Sequence, residues 1–317
     1  MKKILLAALF LSYIMLTGCV KILNDELKTK ETKMVLNAAI APDSVFTVNV
    51  SRTFNIFEDE SADNLPFIDS ANVLLYEDDQ FLFQLQNTGY GFYKHPGFYP
   101  QIGKQYRVTV SHGAWHDIES VASIPPKVPI VSLDTSSVFN SDEYGNNETQ
   151  YIGEITYNDP PGVANYYQLS CVLYNYYNDS LVYVDPQSAV WPTDDNERFF
   201  DSQSGSSLLW SDKLTDGKQV TFKFIFLYAY AYNKMARENK QTFKFEFHLK
   251  SITKSYFTYL KSLGVYWETG GSENPFSEPV VIYSNVDNGY GILGAYSSDT
   301  ISVSYTVSTG GGEGGKP

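Results

Sequence analysis

"NPFSEPVVIYSNVDNGYGILGAYS", residues Asn274 to Ser297, decides how this chain closes. It holds two apolar runs, an Asn-Gly pair, three glycines and three tyrosines. Pro279–Tyr283 is apolar and β-branched, Asn288-Gly289 is a strong two-residue hairpin signal, and Ile292–Tyr296 reads as a second strand. Gly291 and Gly294 inside that strand point to a bulge or to the close approach of another backbone. Ile301–Val307 follows as a third strand. The stretch predicts a hairpin that closes a β-domain, with a type I′ turn at Asn288-Gly289, rather than a ligand loop.

Working back from it, the composition is that of a strand-rich protein. There are 25 Tyr and 20 Phe among 317 residues, against 4 Met and 4 His. Val220–Tyr232 puts Phe222, Phe224 and Phe226 on one face, and Thr242–Leu249 does the same with Phe243, Phe245 and Phe247. The polar loop Asn233–Lys240 joins them into a long hairpin. Ser251–Leu263 alone reads as a helix, with Ser251 as N-cap and Gly264 as the stop. Tyr151–Tyr157 and the strand around Cys171 complete the recognisable elements of this half.

Upstream, short alternating runs begin at Met34 and recur to Ile124: Val45–Thr53, Ala71–Tyr76, Gln80–Gln86, Tyr90–Tyr93, Gly103–Val110 and Ile118–Ile124. Their number and spacing predict an immunoglobulin-like or transthyretin-like sandwich. Pro125-Pro126-Lys127-Val128-Pro129 reads as a stiff linker. The expected organisation is a sandwich at 34–125 and a larger β-sandwich-type domain with one short helix at 126–309, folding separately. A Gly-rich tail, 310–317, cannot bury anything.

The N-terminus is a different kind of object. Lys2 and Lys3 precede the apolar run Ile4–Met15, which is too short to span a bilayer as a mature helix. Leu16-Thr17-Gly18-Cys19 resembles the bacterial lipobox, so residues 1–18 read as a lipoprotein signal peptide. Cys19 is then the acylated N-terminus, and 19–33 is a tether. Acyl chains contribute roughly 0.8 kcal/mol per buried CH₂, enough in combination for a stable anchor. The remaining thiol, Cys171, has no partner for an intramolecular disulfide and reads as a buried structural cysteine. Removing Lys2 and Lys3 leaves 21 basic residues against 36 acidic, a net charge of −15. That excludes nucleic acid as a partner and peripheral binding to anionic lipid.

No catalytic constellation is legible. His112-Gly113-Ala114-Trp115-His116 lacks the Glu of a zincin helix and lies between strands. Ser204-Gly205-Ser206 is a polar loop, His95 and His248 are isolated, and Asp78-Asp79 and Asp194-Asp195-Asn196-Glu197 sit in turn-like segments. A weak calcium site in the last of these is the minor option. The expectation is no enzyme, no cofactor and no metal, with the ligand-binding residues unknown.

Several motifs are similar to the domain-of-unknown-function 4249 family. They are Asn274-Pro275-Phe276 with Asn285, Asn288-Gly289-Tyr290-Gly291 and Gly294; Asp159-Pro160-Pro161-Gly162 with Asn165-Tyr166-Tyr167; and Trp210-Ser211-Asp212 with Asp216-Gly217-Lys218. The likeness spans nearly the whole mature chain. It implies an outer-membrane lipoprotein of Gram-negative bacteria, commonly encoded beside a TonB-dependent outer-membrane receptor, with no assigned catalytic residues. Surface-export tags place acidic residues close behind the Cys. Here Asp25-Glu26 comes later, which leaves both faces of the membrane open. An accessory or ligand-binding lipoprotein and a structural or adhesion-type surface lipoprotein are the two functions this supports.

Overall fold

The computed structural model describes residues 31–54, 65–141, 147–204, 206–230, 240–269 and 280–307. The signal segment, Cys19, most of the tether, the acidic loop Glu58–Asn64 and the Gly-rich tail lie outside them.

The described chain is all-β and sandwich-type, with one short helix. Its first part contains β1 (Met34–Ile40), β2 (Thr47–Arg52), β3 (Asn72–Glu77), β4 (Gln80–Gln84), β5 (Gln86–Asn87), β6 (Phe92–Lys94), β7 (Gln105–His112) and β8 (Trp115–Ser123). After the prolines come β9 (Ile130–Ser141), β10 (Asn147–Asn158), β11 (Tyr166–Tyr177), β12 (Ser180–Ser188) and β13 (Trp191–Pro192). Then follow β14 (Ser202–Ser204), β15 (Ser207–Ser211), β16 (Gln219–Tyr230), β17 (Gln241–Ile252), helix α1 (Lys254–Glu268) and β18 (Tyr290–Val307).

One large sheet runs in the order β14-β15-β11-β17-β18-β1-β2-β6-β5, with β12 also paired to β11. Two smaller sheets, β4-β3-β7-β8 and β13-β16-β10-β9, pack on its two halves. The period-2 pattern explains the first core: Leu36, Val48, Val50, Val73, Leu75, Val108 and Val110 all turn inward. The second core is aromatic. Phe224–Phe247, Phe226–Phe245 and Phe226–Phe247 meet edge-on with centroids 5.1, 4.9 and 5.2 Å apart. Such pairs add about 0.5–1.5 kcal/mol each beyond their buried area, more than an exposed ion pair contributes.

The C-terminal stretch departs from the hairpin expectation. Residues 280–286 form no strand, and β18 is a single strand of 18 residues that takes in both expected strands after the Asn-Gly pair. Asn288 has φ 60°, while Gly289 does not enter the positive region, so the pair is no type I′ turn. The first third of β18 pairs in parallel with β1, from Val35↔Tyr290 to Ile40↔Ala295. The rest pairs antiparallel with β17, from Ile252↔Tyr296 to Gln241↔Val307. Val286, Leu293 and Ala295 belong to the first core. The boundary expected at residue 125 is therefore crossed by a strand from the far end of the chain.

The close approach read from the glycines is present. At Gly291, φ is 108° and a Cβ would stand 2.1 Å from the Leu36 carbonyl oxygen; at Gly294 it would meet the Tyr256 ring at 2.5 Å. The proline linker is fixed by Asp299, which accepts from Lys127 Nζ and from the Ile130 N–H, each at 2.9 Å. Helix α1 begins two residues later than expected, because Ser251 and Ile252 still pair with β18. Thr253 is its N-cap, accepting from the Tyr256 N–H at 3.3 Å. It runs through a buried Gly264 to Glu268.

Candidate functional site

Two loops at one end of the second half carry the densest polar chemistry among the described residues. Asp159-Pro160-Pro161-Gly162 follows β10, and Asp212–Lys218 follows β15. Pro160 and Pro161 end the strand by removing ladder donors, and Gly162 (φ 76°) and Gly217 (φ 68°) take conformations that side chains resist. The two loops thereby face each other.

Each of three carboxylates reaches across. Asp159 Oδ1 accepts from the Tyr167 hydroxyl and Oδ2 from the Gly217 N–H at 3.0 Å. Asp212 Oδ2 accepts from the Asn165 N–H at 2.7 Å, and the Asp212 N–H returns a bond to the Asn165 carbonyl at 3.1 Å. Asp216 Oδ1 accepts from the Gly162 N–H at 2.7 Å. Beneath them the Trp210 indole N–H donates to the Tyr157 hydroxyl at 2.8 Å, and Tyr167 stacks on Trp210 at 5.5 Å.

Asp159 and Asp212 are buried; Asp216 is exposed. Burial pushes the Asp159 carboxyl above the usual range, Tyr167 and the Gly217 N–H oppose this, and Asp212 and Asp216 push it further up. Burial raises Tyr157 and Tyr167 as well. One oxygen from each carboxylate lies within 4.8 Å of the others, the donor set a hard cation takes. Each carboxylate already accepts a backbone N–H, so the geometry also acts as a clamp that holds the two loops together without an ion. Sequence reasoning took both segments only as motifs of a family resemblance. Asp before Pro-Pro-Gly was visible, but its pairing with residues more than fifty positions away was not.

The residues weighed from sequence stand apart from this node. Cys19 lies outside the described residues. Cys171 is buried in β11, where burial pushes its thiol up to about 12, so it is no nucleophile near neutral pH. His112 stacks on Trp115 at 4.6 Å, with its ring nitrogens engaged by Ser70 and Ala114, while His116 lies 3.8 Å from Glu31. Asp78 and Asp79 form the β3–β4 turn, both at positive φ, and meet Lys104 and Arg107. Asp194–Glu197 opens a 3-10 turn in which Asn196 bonds Thr193 at 2.9 Å. His95 stacks on Phe83 at 4.0 Å.

The motifs that converge here and on β18 are those of one family. The model of the domain of unknown function DUF4249 matches residues 20–302. The chain belongs to this family. Within the matched range, the Asp-Pro-Pro-Gly and Trp-Ser-Asp segments build the loop clamp, and Asn285 to Gly294 builds the junction of β18 with β1. No curated protein matches the chain. Among solved structures, the full-length major pilin SpaD from Corynebacterium diphtheriae aligns at 11% identity over 71% of this chain and 67% of the pilin. Its TM-score of 0.15 carries no argument.

Proposed function

We propose that this DUF4249 chain is a lipid-anchored outer-membrane lipoprotein without enzymatic activity. In this reading it serves as an accessory, ligand-binding partner of a TonB-dependent outer-membrane transporter. The observation that carries the anchor is Leu16-Thr17-Gly18-Cys19 behind a short, positively started apolar run. Family membership supports the location and the partner. The sandwich-type architecture supports a rigid scaffold rather than a catalytic cleft.

The second reading, a structural or adhesion-type surface lipoprotein, requires no binding surface. The rim of the second half favours the first: Tyr177, Leu181, Val182 and Tyr183 are all exposed on the β11–β12 hairpin, whose turn residues Asn178 and Asp179 both have positive φ. Affinity capture from solubilised outer membranes, with mass spectrometry of what is retained, tests the assignment. A TonB-dependent receptor retained by the wild type and lost with Leu181→Lys/Tyr183→Lys supports the accessory role. Equal retention of nothing but bulk porins by both forms rejects it.

A further inference from the structure

The large sheet leaves an aromatic face exposed where β1 begins. Cross-strand register lines up Tyr290 on β18, Val35 on β1, Ser51 on β2 and Phe67 in one row, with Asn37, Asn49 and Phe92 in the next. Leu36, Val48, Val50 and Tyr93 alternate with these positions and fill the first core, so the two rows point away from it. Phe67, Phe92 and Tyr290 are exposed, as is Leu65, two residues before Phe67. Single exposed apolar residues are ordinary, but a contiguous set marks an interaction surface.

Tyr90 joins this face under strain. Its φ is 53°, between Gly89 at 95° and Gly91 at 72°, so three successive residues lie in the positive region. A bulky residue resists that conformation, which persists only where neighbours overdetermine it. Here they do. The Gly89 N–H donates to Asn87 Oδ1 at 2.9 Å, the Gly91 N–H to Asp69 Oδ1 at 2.7 Å, and Asn49 Nδ2 to the Tyr90 carbonyl at 3.0 Å. The loop holds the Tyr90 ring edge-on to Phe67, centroids 6.0 Å apart, and leaves the residue 67% exposed. A strained aromatic that served packing would be buried; this one is presented.

The occupant follows from where the chain enters the fold. The Lys33 N–H donates to Thr53 Oγ1 at 3.0 Å, its carbonyl accepts from the Thr53 N–H at 2.9 Å, and its Nζ lies 5.4 Å from the Tyr290 ring centroid. The segment leading back to Cys19 therefore leaves from the patch itself, and residues 19–33 span at most about 50 Å. Tyrosine rings, with lysines that carry their charge past apolar surface, suit a membrane–water interface. Lys33 and Lys94, the latter two residues beyond Phe92, flank the rings. The acidic balance of the chain and the segment Glu58–Asn64, just before Leu65, exclude an anionic surface. We propose that Leu65, Phe67, Tyr90, Phe92 and Tyr290 dock the protein onto the zwitterionic interface of the bilayer that holds its acyl chains, which fixes the attitude of the anchored body. This rests on the lipid-anchor reading above. In the strand order of the large sheet, β6 and β11 lie towards opposite ends, so docking leaves the exposed β11–β12 rim to a protein partner.

Fluorescence of the full chain, purified from membranes and reconstituted on phosphatidylcholine vesicles with or without brominated acyl chains, tests it. Phe92→Trp places a reporter in the patch, and the wild type supplies the background of Trp115, Trp191, Trp210 and Trp267. The added emission is expected to shift to shorter wavelength and to be quenched by the brominated lipid. Adding Tyr90→Asn is expected to reduce the quenching several-fold; asparagine tolerates the left-handed region, so the melting temperature holds or rises. Flotation of the vesicles reports the anchor separately. A chain that floats with its reporter unquenched, or quenched equally with and without Tyr90→Asn, overturns the docking and leaves the anchor standing. A chain that does not float and carries no acyl mass on Cys19 overturns the anchor, and the docking with it. A shifted but unquenched reporter, with dimers by light scattering that Tyr90→Asn abolishes, gives the face to a second copy and likewise overturns the proposal.

Discussion

The carboxamide of Asn285 pairs with both backbone groups of Leu293: the Leu293 N–H donates to Oδ1 at 2.9 Å, and Nδ2 donates to the Leu293 carbonyl at 3.0 Å. A single side chain thus takes the place of a neighbouring strand. It is needed because β17 reaches β18 only from Tyr296 onward, which leaves the other edge of residues 290–295 without a ladder. The next residue inward on that edge, Ala295, is served by Thr253, whose N–H donates to its carbonyl at 3.0 Å. Asn285 is itself anchored to the opposite sheet, since its carbonyl accepts from Ser120 Oγ at 2.8 Å.

Asn285→Ala removes both bonds and leaves buried backbone groups of Leu293 unpaired, a loss of about 1–3 kcal/mol. Asn285→Asp is expected to be at least as damaging, because a carboxylate cannot donate to the Leu293 carbonyl. Chemical unfolding followed by tryptophan fluorescence checks this; two variants as stable as the wild type would show that solvent replaces the carboxamide.

Gly291→Ala acts on the same junction from the β1 side. The new Cβ would stand 2.1 Å from Leu36 O at a backbone φ of 108°. Backbone strain of about 1–3 kcal/mol and overpacking of about 1–3 kcal/mol apply together. Gly103→Ala, with φ 79° but open space around it, carries the strain alone. Melting temperatures of the two variants are expected to separate, with Gly291→Ala the lower.

Asp299 links stability to pH. Burial pushes its carboxyl up, but the Ile130 N–H and Lys127 outweigh this and hold it below the ordinary aspartate value of 3.8. A depressed folded-state value means that the unfolded chain takes up the proton first. The stabilisation is therefore present above the ordinary value and is lost as pH falls through the folded value. Asp299→Asn is expected to lose about 1–2 kcal/mol at neutral pH and progressively less in acid. A deficit that stays constant across the acid range would rule out the ionised carboxylate as its source.

Strand identity was largely legible in the sequence because alternation is local. Phe222, Phe224 and Phe226 turn into the second core as their spacing predicts, and the charged turn at Asp78-Asp79 closes its hairpin. The order of strands was not, since pairing is set by residues far apart in the chain. Asn288-Gly289 carries the local signal of a hairpin, yet Asp287 is drawn to Glu119 by a backbone bond of 2.8 Å and the chain turns onto the first half instead. β9 and β12 were missed for a related reason: Val131, Leu181 and Val182 are exposed, so neither strand alternates cleanly. At the loop clamp, Asp159 and Asp212 have the composition of solvated turns, and only the fold shows them buried.

β18 pairs with strands of both halves, and we predict that it joins them into one folding unit. The most direct test is a thermal melt, followed by circular dichroism, of a chain that ends at Pro126 and so retains β1–β8 but lacks residues 285–295. Without that strand, the β1 edge from Val35 to Ile40 is unpaired and the first core loses Val286, Leu293 and Ala295. The prediction is no cooperative transition in the shortened chain and a single one in the full chain. A sharp, reversible melt of the shortened chain, near the temperature of the full one, would contradict it.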